Sequence, residues 1–255
     1  DGYISYTDIP GNMLAEIINL DHSGKGNFNQ DQFLLSTKTK ADYINFEYER
    51  IPWLVRTKAV LDADFQIDNK TNTYTFKTGD VKLNELLLAS EGFFQMANDS
   101  TYKMDIRFSA PSTEFKTLLS LVPAVYQQDF DKIKTEGKTI FNGWVKGTYG
   151  PTKMPGYHLN LEVQNAMFHY PDLPEPVKDI NLVLKLDNSD GITDHTIINI
   201  PKAHISFGNQ PFDFRLLVKN PETVRYLDAA AKGKLNLAHV GRFVKLDAGT
   251  KLSGI

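Results

Sequence analysis

Tyr102-Lys103-Met104-Asp105-Ile106-Arg107-Phe108 alternates strictly between large apolar and charged residues. Successive side chains of a β-strand point to opposite faces, so this stretch has one apolar face and one wetted face. The same period of two recurs on both sides of it. Phe65 and Ile67 alternate with Asp64, Gln66 and Asp68, and Tyr74 and Phe76 with Thr73, Thr75 and Lys77. Leu159, Leu161 and Val163 follow the rule, as do Ile180, Leu182, Leu184 and Leu186, and Phe212, Phe214, Leu216 and Val218. One-sided strands of this kind belong to antiparallel sheet with one wet face, because the strands of doubly wound sheets are apolar throughout.

Turn residues separate the runs: Asp68-Asn69-Lys70, Ala97-Asn98-Asp99-Ser100, Tyr149-Gly150-Pro151 and Asp187-Asn188-Ser189-Asp190-Gly191. Asp1 to Asp8 also reads as a strand. The expected fold is mainly β, an elongated antiparallel sheet of repeated strand units, either a half-open groove or sandwich-like. A few short helices are expected, notably near 112–136 and 221–232. The first would be capped by Ser112 or Thr113 and carry Phe115, Leu118, Leu119 and Val122; Pro123 would interrupt it or start the next, and Val125, Tyr126, Phe130 and Ile133 continue the stripe to a stop at Gly137. The second would run from Pro221 through Val224, Tyr226 and Leu227 to Ala231. Weaker patterns suggest helices at 11–18 and 237–244. Strands followed by Pro111 and a helix, then strands followed by Pro221 and a helix, suggest a duplicated unit. Residues 1–255 read as one β-rich segment of a larger protein, with an internal boundary considered at 137–150. Both ends look like cuts through a continuing pattern.

The composition narrows function. Apolar residues make up 41% of 255 and charged residues 23%, so a sizeable core is expected. A net charge of -3 with interspersed signs argues against a nucleic-acid partner. The chain has no cysteine, which removes disulfides and thiolate chemistry. No stretch approaches the ~20 apolar residues of a membrane helix.

Chemistry-bearing motifs are sparse. No two of His22, His158, His169, His195, His204 and His239 have ligand-pair spacing on one helix. His158 and His169 could meet from different strands, but a lone strand histidine is more often a wetted surface residue. Gly24-Lys25-Gly26-Asn27 and Gly137-Lys138-Thr139 resemble fragments of phosphate loops, without the remaining glycines. A turn and a helix stop explain them. Asp62 and Asp64 share a strand face and are the one carboxylate pair available for glycoside hydrolysis or calcium. Their alternation with apolar neighbours reads as the polar side of a half-buried strand. No Gly-x-Ser-x-Gly elbow occurs. The expectation is therefore no enzyme, with no catalytic, cofactor-binding or metal residues and no cofactor. Leu159, Leu161, Leu182 and Leu184 are candidate lipid-facing residues, with plain core as the competing reading. Around Leu87, between Leu86 and Leu88, both strand faces are apolar.

Several stretches resemble one family. They are Gly2 to Asp8, Phe115 to Pro123, Thr135-Glu136-Gly137, the strand Gly143 to Gly147, Met154-Pro155-Gly156, Ala166 to Pro174, Ile180-Asn181-Leu182 and Ala231 to Leu237. The chain resembles the AsmA family of bacterial envelope proteins, in particular the large AsmA-like proteins of Bacteroidetes. The resemblance implies a membrane-anchored, periplasmic β-rich body whose N-terminal inner-membrane helix lies outside this segment. It implies outer-membrane biogenesis or phospholipid transport through an apolar β groove, with phospholipid and envelope proteins as partners and no nucleic acid. The alternatives are a structural or protein-interaction module of the envelope without lipid binding, and a glycan hydrolase resting on Asp62 and Asp64.

Overall fold

A computed structural model describes residues 2–9, 12–48, 51–122, 130–171, 174–234, 236–242, 249 and 252–254. The strands are β1 (Gly2–Asp8), β2 (Met13–Lys25), β3 (Gln32–Tyr48), β4 (Ile51–Asp68), β5 (Thr73–Leu83), β6 (Leu86–Asn98) and β7 (Thr101–Glu114). After the short helix α1 (Phe115–Leu119) come β8 (Lys134–Tyr149), β9 (Gly156–His169), β10 (Val177–Asn188), β11 (Ile197–Phe207), β12 (Gln210–Lys219) and β13 (Tyr226–Gly233). They form one 13-stranded antiparallel sheet in which every strand pairs with the next in sequence. Each of the alternating runs lies in a strand. The protein is thus mainly antiparallel β, built of repeated strand units with few short helices.

All four expected helices are replaced or shortened among the described residues. Residues 226–232 extend along β12 as β13, with Leu227 opposite Val218 and Ala229 opposite Leu216. Backbone pairing and contact with an apolar neighbour override the helical preference of the alanines. The preceding Pro221–Arg225 stretch is a bend held by Asp194, whose carboxylate accepts from the backbone N–H of Glu222 and Thr223 and from the Thr223 hydroxyl. Those bonds hold the Asp194 carboxyl below its usual range. With no helix after Pro221, the duplicated strands-then-helix unit does not hold. Residues 13–18 belong to β2, where Met13, Ala15 and Ile17 face Tyr48, Phe46 and Ile44.

The first helix is shorter than its pattern. Pro111 and Ser112 stay in β7, Glu114 takes the cap position in extended conformation with no side-chain cap bond, and α1 ends at Leu119. A 3-10 turn at Phe130–Lys132 precedes β8, and residues 123–129 lie outside the described residues. Gly137 does not end a helix. It sits inside β8 at φ 94°, where the pairing with β9 shifts register. The weaker helix at 237–244 is a 3-10 stretch, Leu237–Arg242, with 243 and 244 outside the described residues. Residues 137–149 lie within β8, which pairs with both neighbours.

The sheet coils upon itself. Tyr149 at the end of β8 donates to Asp8 Oδ2 at 2.9 Å, and Tyr6 lies 3.0 Å from the Tyr149 hydroxyl. Tyr48, at the end of β3, reaches Thr193 in the β10–β11 connection at 3.4 Å. β1 and β8 are seven steps apart in strand order, as are β3 and β10. Seven steps of ~4.8 Å span about 33 Å in a flat sheet. Equal offsets at both contacts indicate a coil of about seven strands per turn, in which the lower ends of β1 and β3 meet the upper ends of β8 and β10.

The coil has local causes. Asn19, Arg56, Asn165 and Asp179 adopt left-handed φ of 46–55° inside β2, β4, β9 and β10. Register shifts accompany bulges in most strand pairs, and bulges bend a strand and raise its twist. Neighbouring asparagines satisfy the displaced amides: Asn45 Oδ1 accepts from Arg56 N at 2.8 Å, and Asn181 Oδ1 from Asn165 N at 3.0 Å. The total accessible surface is 15389 Å². A compact 28.8 kDa chain exposes about 11,300 Å² by the usual size scaling. The excess fits a single layer, and no second sheet is present among the described residues.

Two outcomes are expected. A Cβ at Gly137 would lie 2.4 Å from Ala166 Cα, so Gly137→Ala should lower unfolding free energy by about 2 kcal/mol or more in urea titration. Burial, then the bonds with Tyr6 and Asp8, raise the Tyr149 phenol well above its usual value. The neutral form is favoured in the fold, so this contribution is full below pH ~10 and declines as pH rises past it. Tyr149→Phe should flatten the alkaline fall in stability measured between pH 8 and 11.

Candidate functional site

One face of the coil is apolar across the strand order. Leu35 faces Phe65, Phe65 faces Phe76, Phe76 faces Gly92, and Gly92 faces Ile106. A second row runs from Ser90 through Phe108, Gly143, Leu159, Leu186, Ile198 and Val218 to Leu227, each the register partner of the next. Strict alternation along each strand, combined with hairpin register, produces these rows. Gly143 leaves room for the Phe108 ring, whose Cζ would lie 2.6 Å from a Cβ there.

The connection between β7 and β8 covers one end of this face. Phe115 and Leu119 of α1, with Phe130 and Ile133, pack on Val163, Ala166, Tyr170, Val177 and Ile180. Leu86, Leu88 and Ala110 form a smaller buried group, against which Leu121 and Phe141 pack. Ser120 pins the connection to the β5–β6 turn: its hydroxyl accepts from Glu85 N at 3.1 Å, and its carbonyl accepts from Asn84 Nδ2 at 2.7 Å.

The four leucines named from the sequence share this face. Leu161 opposes Leu184, Val163 opposes Leu182, and Leu159 opposes Leu186. Leu161 and Leu182 lie against the covered cluster. Leu159 and Leu184 lie outside both buried clusters and are half-buried. Leu86 and Leu88 are buried while Leu87 is 55% exposed, so only one face of that strand is covered.

Asp62 and Asp64 lie on the opposite, wet face. Asp62 pairs with Lys38 at 3.3 Å, both well exposed, and Asp64 lies across from Ser36. Asp80 of β5 lies directly across from Asp62, and all three carboxylates stand on this open face. His158 and His169 both belong to β9 and so do not converge from two strands. His158 instead bonds Asp187, His195 bonds Asp190 and His204 bonds Asp213. His195 and a backbone N–H hold the Asp190 carboxyl below its ordinary value. No group of three or more His, Asp or Glu among the described residues is placed to hold a metal ion. Gly24 lies in β2, and Gly26 precedes the turn into β3.

The residues that sequence reading missed are Tyr6, Tyr48 and Tyr149, which join successive turns of the coil. No local pattern pairs residues 143 and 145 positions apart. Compared with family models, with curated proteins and with solved structures, the chain matches none. No helix among the described residues is long and apolar enough to cross a membrane.

Burial separates the two roles of leucine here. Leu86→Ala, at a fully buried site, should cost about 2–5 kcal/mol in chemical denaturation. Leu87→Ala, on the exposed face, should stay within about 0.5 kcal/mol of the parent.

Proposed function

We propose that this chain is a non-enzymatic segment of a lipid-carrying wall in the bacterial cell envelope, as its resemblance to AsmA-like proteins implies. The observation that carries this reading is the apolar face. It runs from β3 to β13 on a single sheet, coils inward, and is covered by α1 and its flanks over only part of its extent. Leu159, Leu184, Leu186, Ile198 and Val218 line the uncovered part and are half-buried. An acyl tail of ~15 methylenes gains about 12 kcal/mol gross on leaving water for such a trough. The wet outer face keeps the wall soluble in an aqueous compartment, here the periplasm. Phospholipid is the cargo this reading assigns, moved in support of outer-membrane assembly.

A second reading is favoured by the sheet edges. Among the described residues β1 and β13 each pair on one side, and Tyr3, Ile4, Tyr226 and Leu227 there are exposed. Such edges suit strand addition by a protein partner.

Native mass spectrometry of protein purified from bacterial cells without detergent tests the first reading. The expected result is bound phospholipid that is lost in the double variant Leu159→Glu, Leu184→Glu. It is retained in Leu34→Glu, which alters an exposed site on the other face, and all three proteins keep the same circular dichroism. A lipid-free parent, even after incubation with phospholipid vesicles, sinks the lipid reading and leaves the edge-mediated one.

A further inference from the structure

The outer face of the same strands carries a second surface. β5 leaves its register with β6 between Phe76 and Gly79, opposite Gly92. A shallow depression of about 260 Å³ opens there, lined by Thr75, Glu91, Phe93, Asp105 and Arg107. Two strands beyond Phe93, Trp144 lies in register between Arg107 on β7 and His158 on β9. The indole and imidazole are parallel within 16°, with centroids 6.2 Å apart. His158 Nδ1 bonds Asp187 Oδ1, which leaves Nε2 as the second hydrogen-bonding atom of an oriented ring. Lys146 Nζ lies 2.9 Å from Asp105, and Arg107 Nε lies 4.0 Å from it.

We propose that this strip, from the Phe93 depression to the Trp144–His158–Asp187 row, binds a saccharide chain. A sugar ring offers C–H groups on its faces and hydroxyls around its rim. It is recognised by a flat aromatic surface beside planar groups that both donate and accept. Phe93 and Trp144 provide two such surfaces, Arg107 donates, and Glu91, Asp105, Asp187 and the His158 Nε2, whose Nδ1–H is spent on Asp187, accept. From strand spacing and rise, the two rings stand about 12 Å apart at their backbones, a span that a few linked sugar rings cover. Charge selects the class. Two cations face three carboxylates, and Asp105 already engages both cations. The strip therefore lacks the basic surplus that a polyanion requires, and it fits an uncharged glycan. It lies on the face opposite the apolar rows, so it does not depend on the lipid reading.

The test is titration of the whole chain with hexasaccharides of β-1,4-linked glucose, β-1,4-linked N-acetylglucosamine and α-1,4-linked glucose. Binding is followed by calorimetry and by heteronuclear NMR of the indole N–H. The expected result is millimolar or tighter binding of at least one of them, with the Trp144 signal shifted. Trp144→Ala and Arg107→Ala should each weaken it about tenfold or more. Trp144→Phe, which keeps a flat ring, should retain most of it. No binding of any of the three at millimolar concentration overturns the proposal. So does binding that Trp144→Ala leaves intact, which would make Trp144 an ordinary cross-strand packing residue.

Discussion

A sheet with one apolar face and no second layer has to hide that face by bending, and the rest of this structure follows from that constraint. The hydrophobic rows from β3 to β13 have no opposing sheet among the described residues. Burial comes from curvature and from one short covering connection. The core is correspondingly thin: its buried members are often small, such as Ala41, Ala63, Ala110, Ala166 and Ala203. Small side chains let the concave surface tighten where large ones would force it open.

Curvature is built from backbone irregularity. Left-handed residues and register shifts recur along the strands, and asparagine side chains from neighbouring strands satisfy the amides that the bulges displace. The coil then closes end to end through phenols. Tyr149 is held neutral by burial and by its neighbours, and it donates to Asp8 from seven strands away. Contacts of this kind are individually worth about 1 kcal/mol. Their role is to fix the pitch at which one turn meets the next.

The strands were legible in the sequence because a period of two survives every local accident. Tyr102 to Phe108 and Ile180 to Leu186 could hardly be read otherwise. The helices were not. Tyr226 to Ala231 carries good helix formers, yet it lies along β12, where its backbone pairs and Leu227 meets Val218. Gly137 looked like a helix stop because a bulge glycine and a C-cap glycine both need positive φ. The apolar face could be listed residue by residue, as Leu159, Leu161, Leu182 and Leu184 were. Which of these the α1 connection covers depends on contacts between β7–β8 and β9–β11, and no single stretch encodes that. The outer row of Arg107, Trp144, His158 and Asp187 was hidden for the same reason, since four strands contribute one residue each.

The coil at about seven strands per turn is the claim on which the groove and both of its faces rest. The chain has no cysteine of its own, so spin labels can be placed at Tyr48→Cys and Thr193→Cys without other changes. Pulsed electron paramagnetic resonance should give a narrow distance distribution centred well below the about 33 Å that seven strand spacings span in a flat sheet. A distribution centred at or beyond that distance would contradict the coil, and with it the inward-facing apolar trough.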